Sequence, residues 1–167
     1  MVIHLKKKKN KALALIDGEH YPPVIKEGLN ELKRKEFDLV GAIFLGGTEK
    51  IGEKEDITDM LGLPVYTNSS KGIPYDSIQR ACEDLNPDIA LDLSDEPVVN
   101  YRKRFKIASE LLRLNVSYKG ADFSFKAPKF MKILEKPSIS IIGTGKRVGK
   151  TSVSGYIARL IRDNGYY

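Results

Sequence analysis

The chain has 167 residues, 41% hydrophobic and 30% charged, which gives room for one ordinary domain or one domain and part of a second, with a packed core and no compositional sign of disorder. Its longest nearly apolar run, Leu39 to Gly47, is nine residues; a bilayer-spanning helix needs about 20, so no membrane role is expected. The net charge of +6 (28 Lys and Arg against 22 Asp and Glu) leans on Lys6 to Lys9 in one short arm; with the basic residues neither spread over a face nor interleaved with aromatics, no nucleic-acid partner is expected.

Residues 1–10 form that basic arm, and no small-residue cleavage site follows it, so it does not read as a secretion signal. Leu13 to Ile16 reads as a buried strand ending at the Asp17-Gly18 turn. Pro22 and Pro23 open a helix with Val24, Ile25, Gly28, Leu29 and Leu32 on one face. Leu39 to Leu45 is a second strand, stopped by Gly46-Gly47. A short helix follows, with Asp56 as N-cap and Ile57, Met60 and Leu61 inward.

Val65 to Thr67 is a third strand, and Ile78, Ala81, Cys82 and Leu85 mark the next helix, which Asn86-Pro87 ends. Cys82 matches that apolar stripe and is the single cysteine; it rules out an internal disulfide or a Cys-based metal cage and fits a reducing, cytoplasmic setting. Ile89 to Leu93 is a fourth strand, ending in the polar turn Ser94 to Pro97. A helix from about Val99 carries Phe105, Ala108, Leu111 and Leu112 inward, and Val116 to Tyr118 is a fifth strand.

Strands and helices joined by such short connections predict an α/β fold, a Rossmann-like or flavodoxin-like parallel sheet over residues 11–125. Residues 126–137, rich in Lys and Pro, read as a connector to a second domain starting at residue 138. Ligands of such sheets gather at the carboxyl ends of strands: here residues 17–20, 46–50 and 92–96.

The sharpest motif comes last. A β-like run, Ser138 to Ile142, leads into Gly143-Thr144-Gly145-Lys146-Arg147-Val148-Gly149-Lys150-Thr151-Ser152, and Val153, Tyr156, Ile157, Leu160 and Ile161 then mark a helix face. Strand, glycine loop, Lys-Thr and helix is the context of a phosphate-binding P-loop. Glycines let the backbone close around phosphate oxygens, successive N–H groups converge, and the helix start adds its positive end. Lys150 supplies a mobile cation for the β- and γ-phosphates of ATP, and the Thr151 hydroxyl can ligate Mg²⁺. The spacing departs from the common motif by one residue: Thr144 stands where the first glycine usually does. Lys146 and Arg147, at the loop tip, either reach a substrate phosphate or are plain solvated cations.

This loop resembles that of the dethiobiotin synthetase-type NTPases, Gly-Thr, three variable residues, Val-Gly-Lys-Thr, through Gly143, Thr144, Val148, Gly149, Lys150 and Thr151. The first half narrows the class. Ile16 to Pro23, Phe44 to Lys50, Asp95 to Val99, Arg104-Phe105 and Tyr118 to Phe123 resemble, in order, motifs of the archaeal cyclic 2,3-diphosphoglycerate synthetases. The resemblance implies an ATP-dependent ligase that closes the intramolecular pyrophosphate of its small-molecule substrate, 2,3-diphosphoglycerate, and releases ADP and phosphate. That family is longer than this chain, so an N-terminal fragment ending one helix into a P-loop domain is expected, its uncovered apolar surface favouring association, most simply as a homodimer.

For the substrate, His20 either donates to an anion or is satisfied in its turn. Asp17 and Glu19 either hold Mg²⁺, fix His20, or belong to a plain Asp-Gly turn. Arg104 either clamps phosphate in a fork or lies on a solvated helix face. Two other readings stand: a dethiobiotin synthetase-like ligase activating a carboxylate, and a non-catalytic nucleotide-binding regulatory module.

Overall fold

The computed structural model describes residues 9–47, 54–67, 74–129, 131 and 133–166. The chain divides into two compact units, Met1–Lys129 and Phe130–Tyr167.

The first unit is built on β1 (Asn10–Ile16), β2 (Phe37–Phe44), β3 (Val65–Thr67), β4 (Ile89–Asp92), β5 (Ser117–Lys119) and β6 (Ser124–Phe125). They form one sheet in the order β3-β2-β1-β4-β5-β6, parallel throughout except for β5 and β6. The order reverses direction between β1 and β4, the place where open α/β sheets leave a crevice at their carboxyl edge. β1 lies at the centre, and Ala12 through Ile16 are all buried. Such a strand has no polar face because helices cover both sides.

Helices α1 (Pro22–Lys35) and α2 (Lys54–Leu61) cover one face, burying Ile25, Leu29, Ile57 and Leu61 with Ala12, Ala14 and Ile16. Helices α3 (Tyr75–Leu85) and α4 (Tyr101–Arg113) cover the other, with Ile78, Ala81, Ile107, Ala108 and Leu111 against Leu13 and Leu15. Prolines occupy the first two positions of α1, where no intrahelical N–H is needed. Asn86, left-handed at φ 46°, ends α3.

The sequence reading places these elements but misassigns some faces. Val24 is 61% exposed, because the buried stripe of α1 runs through Ile25 and Leu29 and leaves position 24 on its flank. Phe105 is 62% exposed, because the stripe of α4 runs through 107, 108 and 111; its ring meets Phe125 at 6.0 Å instead. Asp56 is the third residue of α2, not its cap. Strand β6, two residues long, has no periodicity to announce it; it forms as Tyr118↔Phe125 and Lys119↔Ser124 pair. Cys82 is partly buried against the second core.

In the second unit, α5 (Lys150–Asp163) follows the glycine loop. Residues 138–142, expected as a strand, pair with none of the described residues. A strand is held by its ladder partners, and an apolar run without one forms no strand. No helix among the described residues is long and apolar enough to cross a membrane.

Candidate nucleotide loop and substrate edge

The loop before α5 turns on Arg147 (φ 59°) and Gly149 (φ 81°), both left-handed. Gly149 is the helix N-cap and offers no side chain to the first turn. The first helical bond runs from the Val153 N–H to the Gly149 carbonyl at 3.0 Å, so the amides of Lys150, Thr151 and Ser152 precede the ladder and form the unspent positive end of the helix. Lys150 folds back over the loop, its Nζ donating to the Gly145 carbonyl at 2.6 Å. In doing so its Cγ and Cδ cross Gly143, where a Cβ would meet them at 2.8 and 2.9 Å. Val148 Cγ2 would lie at 2.6 Å from the same point, so a side chain at 143 would force these neighbours to shift, whereas at Gly145 a Cβ would make only an ordinary contact with Val148 at 3.6 Å.

Thr144, Lys146, Arg147, Val148, Thr151 and Ser152 are all exposed, so the loop and the first turn are open to a ligand. This donor set suits the polyphosphate tail of a nucleotide: unspent amides at the start of α5, one flexible ammonium and a hydroxyl beside it. Among the described residues no group of three His, Cys, Asp or Glu could hold a metal ion; a nucleotide-bound Mg²⁺ would find the Thr151 hydroxyl as its protein ligand.

In the first unit, the carboxyl edge of the sheet is tied together by two buried carboxylates. Asp17, 1% exposed, ends β1. Its Oδ1 accepts from the Glu19 amide at 3.0 Å and from His20 Nδ1 at 2.9 Å, and its Oδ2 accepts from the Asp95 amide at 2.7 Å. Asp17 thus lies hydrogen-bonded both to His20 and to the amides of the turns around it. Its oxygens are taken up by the β1 and β4 turns, and the exposed imidazole keeps Nε2 for other partners. The Gly18 amide donates to the Gly46 carbonyl at 2.8 Å, drawing the turn after β2 against the turn after β1. Thr48, Glu49 and Lys50 of that second turn lie outside the described residues, as do Lys6 to Lys8.

The second carboxylate, Asp92 at the end of β4, went unnoticed in sequence except as part of a polar strand end. Its Oδ1 accepts from the Ser94 amide and hydroxyl, and its Oδ2 from Tyr118 Oη and from Arg104 Nε at 2.7 Å. Arg104 Nη2 also donates to the Ser94 carbonyl at 3.2 Å, and its guanidinium lies over the Phe123 ring at 5.6 Å. Burial works against the Arg104 charge, but the hydrogen bond and charge of Asp92 outweigh it and raise its pKa. Arg104 is thus half-committed: Nε holds the Asp92 carboxylate, Nη2 holds the Ser94 carbonyl, and a partly exposed edge remains. Tyr118 is fully buried, and burial followed by the Asp92 bond pushes its hydroxyl well above the ordinary range. The signal for this cluster was a lone acid closing an apolar strand with an arginine on the following helix.

Lys103 was also missed. Its Nζ donates to the Leu45 and Val98 carbonyls at 2.8 and 3.2 Å, and burial lowers its pKa. It joins the end of β2 to the segment leading into α4.

A switch-point α/β sheet followed by a glycine loop and helix of this kind defines a P-loop-bearing α/β protein. Comparison with known proteins narrows the class. Residues 11–126 match the model of the cyclic 2,3-diphosphoglycerate synthetase N-terminal domain, and residues 138–167 that of the P-loop domain of the same enzymes. The chain belongs to the cyclic 2,3-diphosphoglycerate synthetase family.

A protein of that name from Methanothermus fervidus is 49% identical over 160 residues, 93% of this chain and 35% of the relative. One from Thermococcus kodakarensis is 49% identical over 151 residues, covering 90% and 33%, and one from Rubrobacter xylanophilus is 45% identical over 157 residues, covering 93% and 34%. The chain spans about a third of the length of the curated relatives it matches.

Proposed function

We propose that this chain carries the nucleotide-binding entry and part of the substrate-binding surface of an ATP-dependent ligase that converts 2,3-diphosphoglycerate to its cyclic pyrophosphate. The observation that carries this reading is the Lys150 loop, with its open amides and turned-over ammonium, in a chain 49% identical to relatives so named. Domain boundaries are proposed at residues 11–125 and 138–167, joined by 126–137 and preceded by the basic arm, in a cytoplasmic protein.

The reaction needs an activated phosphate, because a phosphate monoester oxygen is a poor leaving group in water. One substrate phosphate attacks the γ-phosphorus of ATP, the bond to the β-phosphate oxygen breaks, and ADP leaves. The second substrate phosphate then attacks the phosphorus of the now-diphosphorylated arm, closing the ring as inorganic phosphate departs. Lys150 would exchange the Gly145 carbonyl for phosphate oxygens, and the amides at the start of α5 would hold the same tail. Mg²⁺, when bound beside Thr151, supplies charge neutralisation between phosphate oxygens. Within the second unit, Lys146 and Arg147 at the loop tip are proposed cations for phosphate oxygens; within the first unit, the outer edge of Arg104 is a proposed phosphate contact. Asp17 and Glu19 shape the turn that presents His20. Positioning and charge neutralisation do most of the work; proton transfer is minor.

The test is phosphorus NMR of the native gene product with ATP and 2,3-diphosphoglycerate. ADP and phosphate should appear one for one with the cyclic product, and only when 2,3-diphosphoglycerate is present. Lys150→Ala should weaken ATP binding by roughly 10- to 100-fold, the loss of one or two hydrogen bonds to charge. ATP consumption that ignores 2,3-diphosphoglycerate but follows an added carboxylate would favour a dethiobiotin synthetase-like reaction. Nucleotide binding without consumption would favour a regulatory module.

A further inference from the structure

Beside His20, at the reversal of strand order, lies a hollow of about 130 Å³. Its walls are Ile16 at the end of β1, Leu93 just past β4, and Val24 and Ile25 in the first turns of α1, with Gly28 and the Asp17–His20 pair completing it. It is a slot between strand ends and a helix, aliphatic on both sides. Val24 and Leu93 remain 61% and 36% exposed at its mouth, an apolar opening in a polar edge. At Gly28 a Cβ would meet nothing within 4 Å, so the helix leaves room there.

The polar groups of the slot are unequal. Asp17 spends both oxygens on Glu19, His20 and Asp95. His20 spends Nδ1 on Asp17, which leaves Nε2 as the hydrogen-bonding atom for a guest. Among the described residues no lysine or arginine lines the hollow, so the lining they form offers a polyanion no counter-charge. A closed cavity of about 150 Å³ lined by apolar residues, aromatic as well as aliphatic, accommodates a benzene ring; this one, open on one side, suits a ring of that size or a fused pair projecting from the mouth. Aliphatic walls, one hydrogen-bonding atom at the edge and a place at the switch point are what small-molecule sites are made of.

We propose that this slot binds a flat, uncharged heteroaromatic ring of the nucleobase class, sandwiched between Leu93 and Val24 and hydrogen-bonded at its edge by His20 Nε2. The inference shares His20 with the proposed substrate surface but concerns a ring and not a phosphate chain. The probe is adenosine, which has no phosphate for the Lys150 loop. Titrated into the 167-residue chain, it should shift the His20 imidazole resonances saturably. His20→Ala should weaken binding about five- to tenfold, the worth of one neutral hydrogen bond.

Gly28→Leu should fill the slot and abolish binding while leaving the circular dichroism spectrum unchanged; Val24→Trp, at an exposed wall, provides the same block should the first variant misfold. Any of three results would overturn the proposal. One is no saturable shift at His20 up to the solubility of adenosine. Another is undiminished binding in both blocked variants. The third is saturable binding of hexanol where adenosine fails, which would make the slot an aliphatic one.

Discussion

Asp92 ties Ser94, Arg104 and Tyr118 together at the carboxyl end of β4. Its side chain is 2% exposed, and Arg104, 27% exposed, is the cation paired with it. Removing one partner of such a pair strands a buried charge. Arg104→Ala should therefore cost about 2–3 kcal/mol in urea denaturation, below the figure of about 3–5 kcal/mol for a fully buried pair because solvent reaches the guanidinium. The same variant should weaken 2,3-diphosphoglycerate binding more than ATP binding, and Arg104→Lys should recover part of the stability without the fork. An effect on stability alone would leave Arg104 a structural residue.

Cys82 gives a pH signature. Burial first, then the charges of Glu110 and Glu83, push its thiol up to about 11 from the ordinary 9.0. The unfolded chain loses this proton before the folded one, so stability present below pH 9 should decline as pH rises through about 11. Burial and Asp92 raise Tyr118, which acts in the same sense, while the burial-lowered Lys103 acts oppositely. Urea midpoints measured across that window should therefore fall less steeply for Cys82→Ala than for the parent.

At the scale of the element, the loop at 143–152 was legible because its chemistry is consecutive: glycines, Lys150 and Thr151 lie within one turn of chain. The Asp92 cluster was not, because β4, α4 and β5 bring its members together from residues 92, 94, 104 and 118, and sequence spacing carries no trace of that meeting. Strand and helix order could be read from apolar runs broken by Gly and Pro. The faces of α1 and α4 were read less well, since a helix with several apolar residues offers more than one plausible stripe. Gly18 shows a constraint hidden from sequence. A Cβ there would collide with the Gly47 carbonyl, and Phe44 Cζ lies 2.8 Å from the same point. Gly18→Ala should force the two turns apart and lower stability by about 1–3 kcal/mol, as overpacking does. A thermal melt unchanged by the substitution would show that the turns yield freely.

For the whole molecule, the first unit holds two apolar layers around a central strand, while α5 has no buried residue. Ile139, Ile142, Val153, Tyr156 and Leu160 stand 43–85% exposed. An amphipathic helix in that condition favours self-association, and sedimentation of the 167-residue chain should show a concentration-dependent rise in mass. Substituting Val153 and Leu160 with polar residues should reduce it. A monomer at every concentration would contradict this expectation.

The Asp17 carboxylate holds the amides of Glu19 and Asp95, which stand far apart along the chain. Neither turn can loosen without surrendering the same acceptor group. In deuterium exchange their amide signals should decay with one shared opening rate, so that two distant loops breathe as a single hinge.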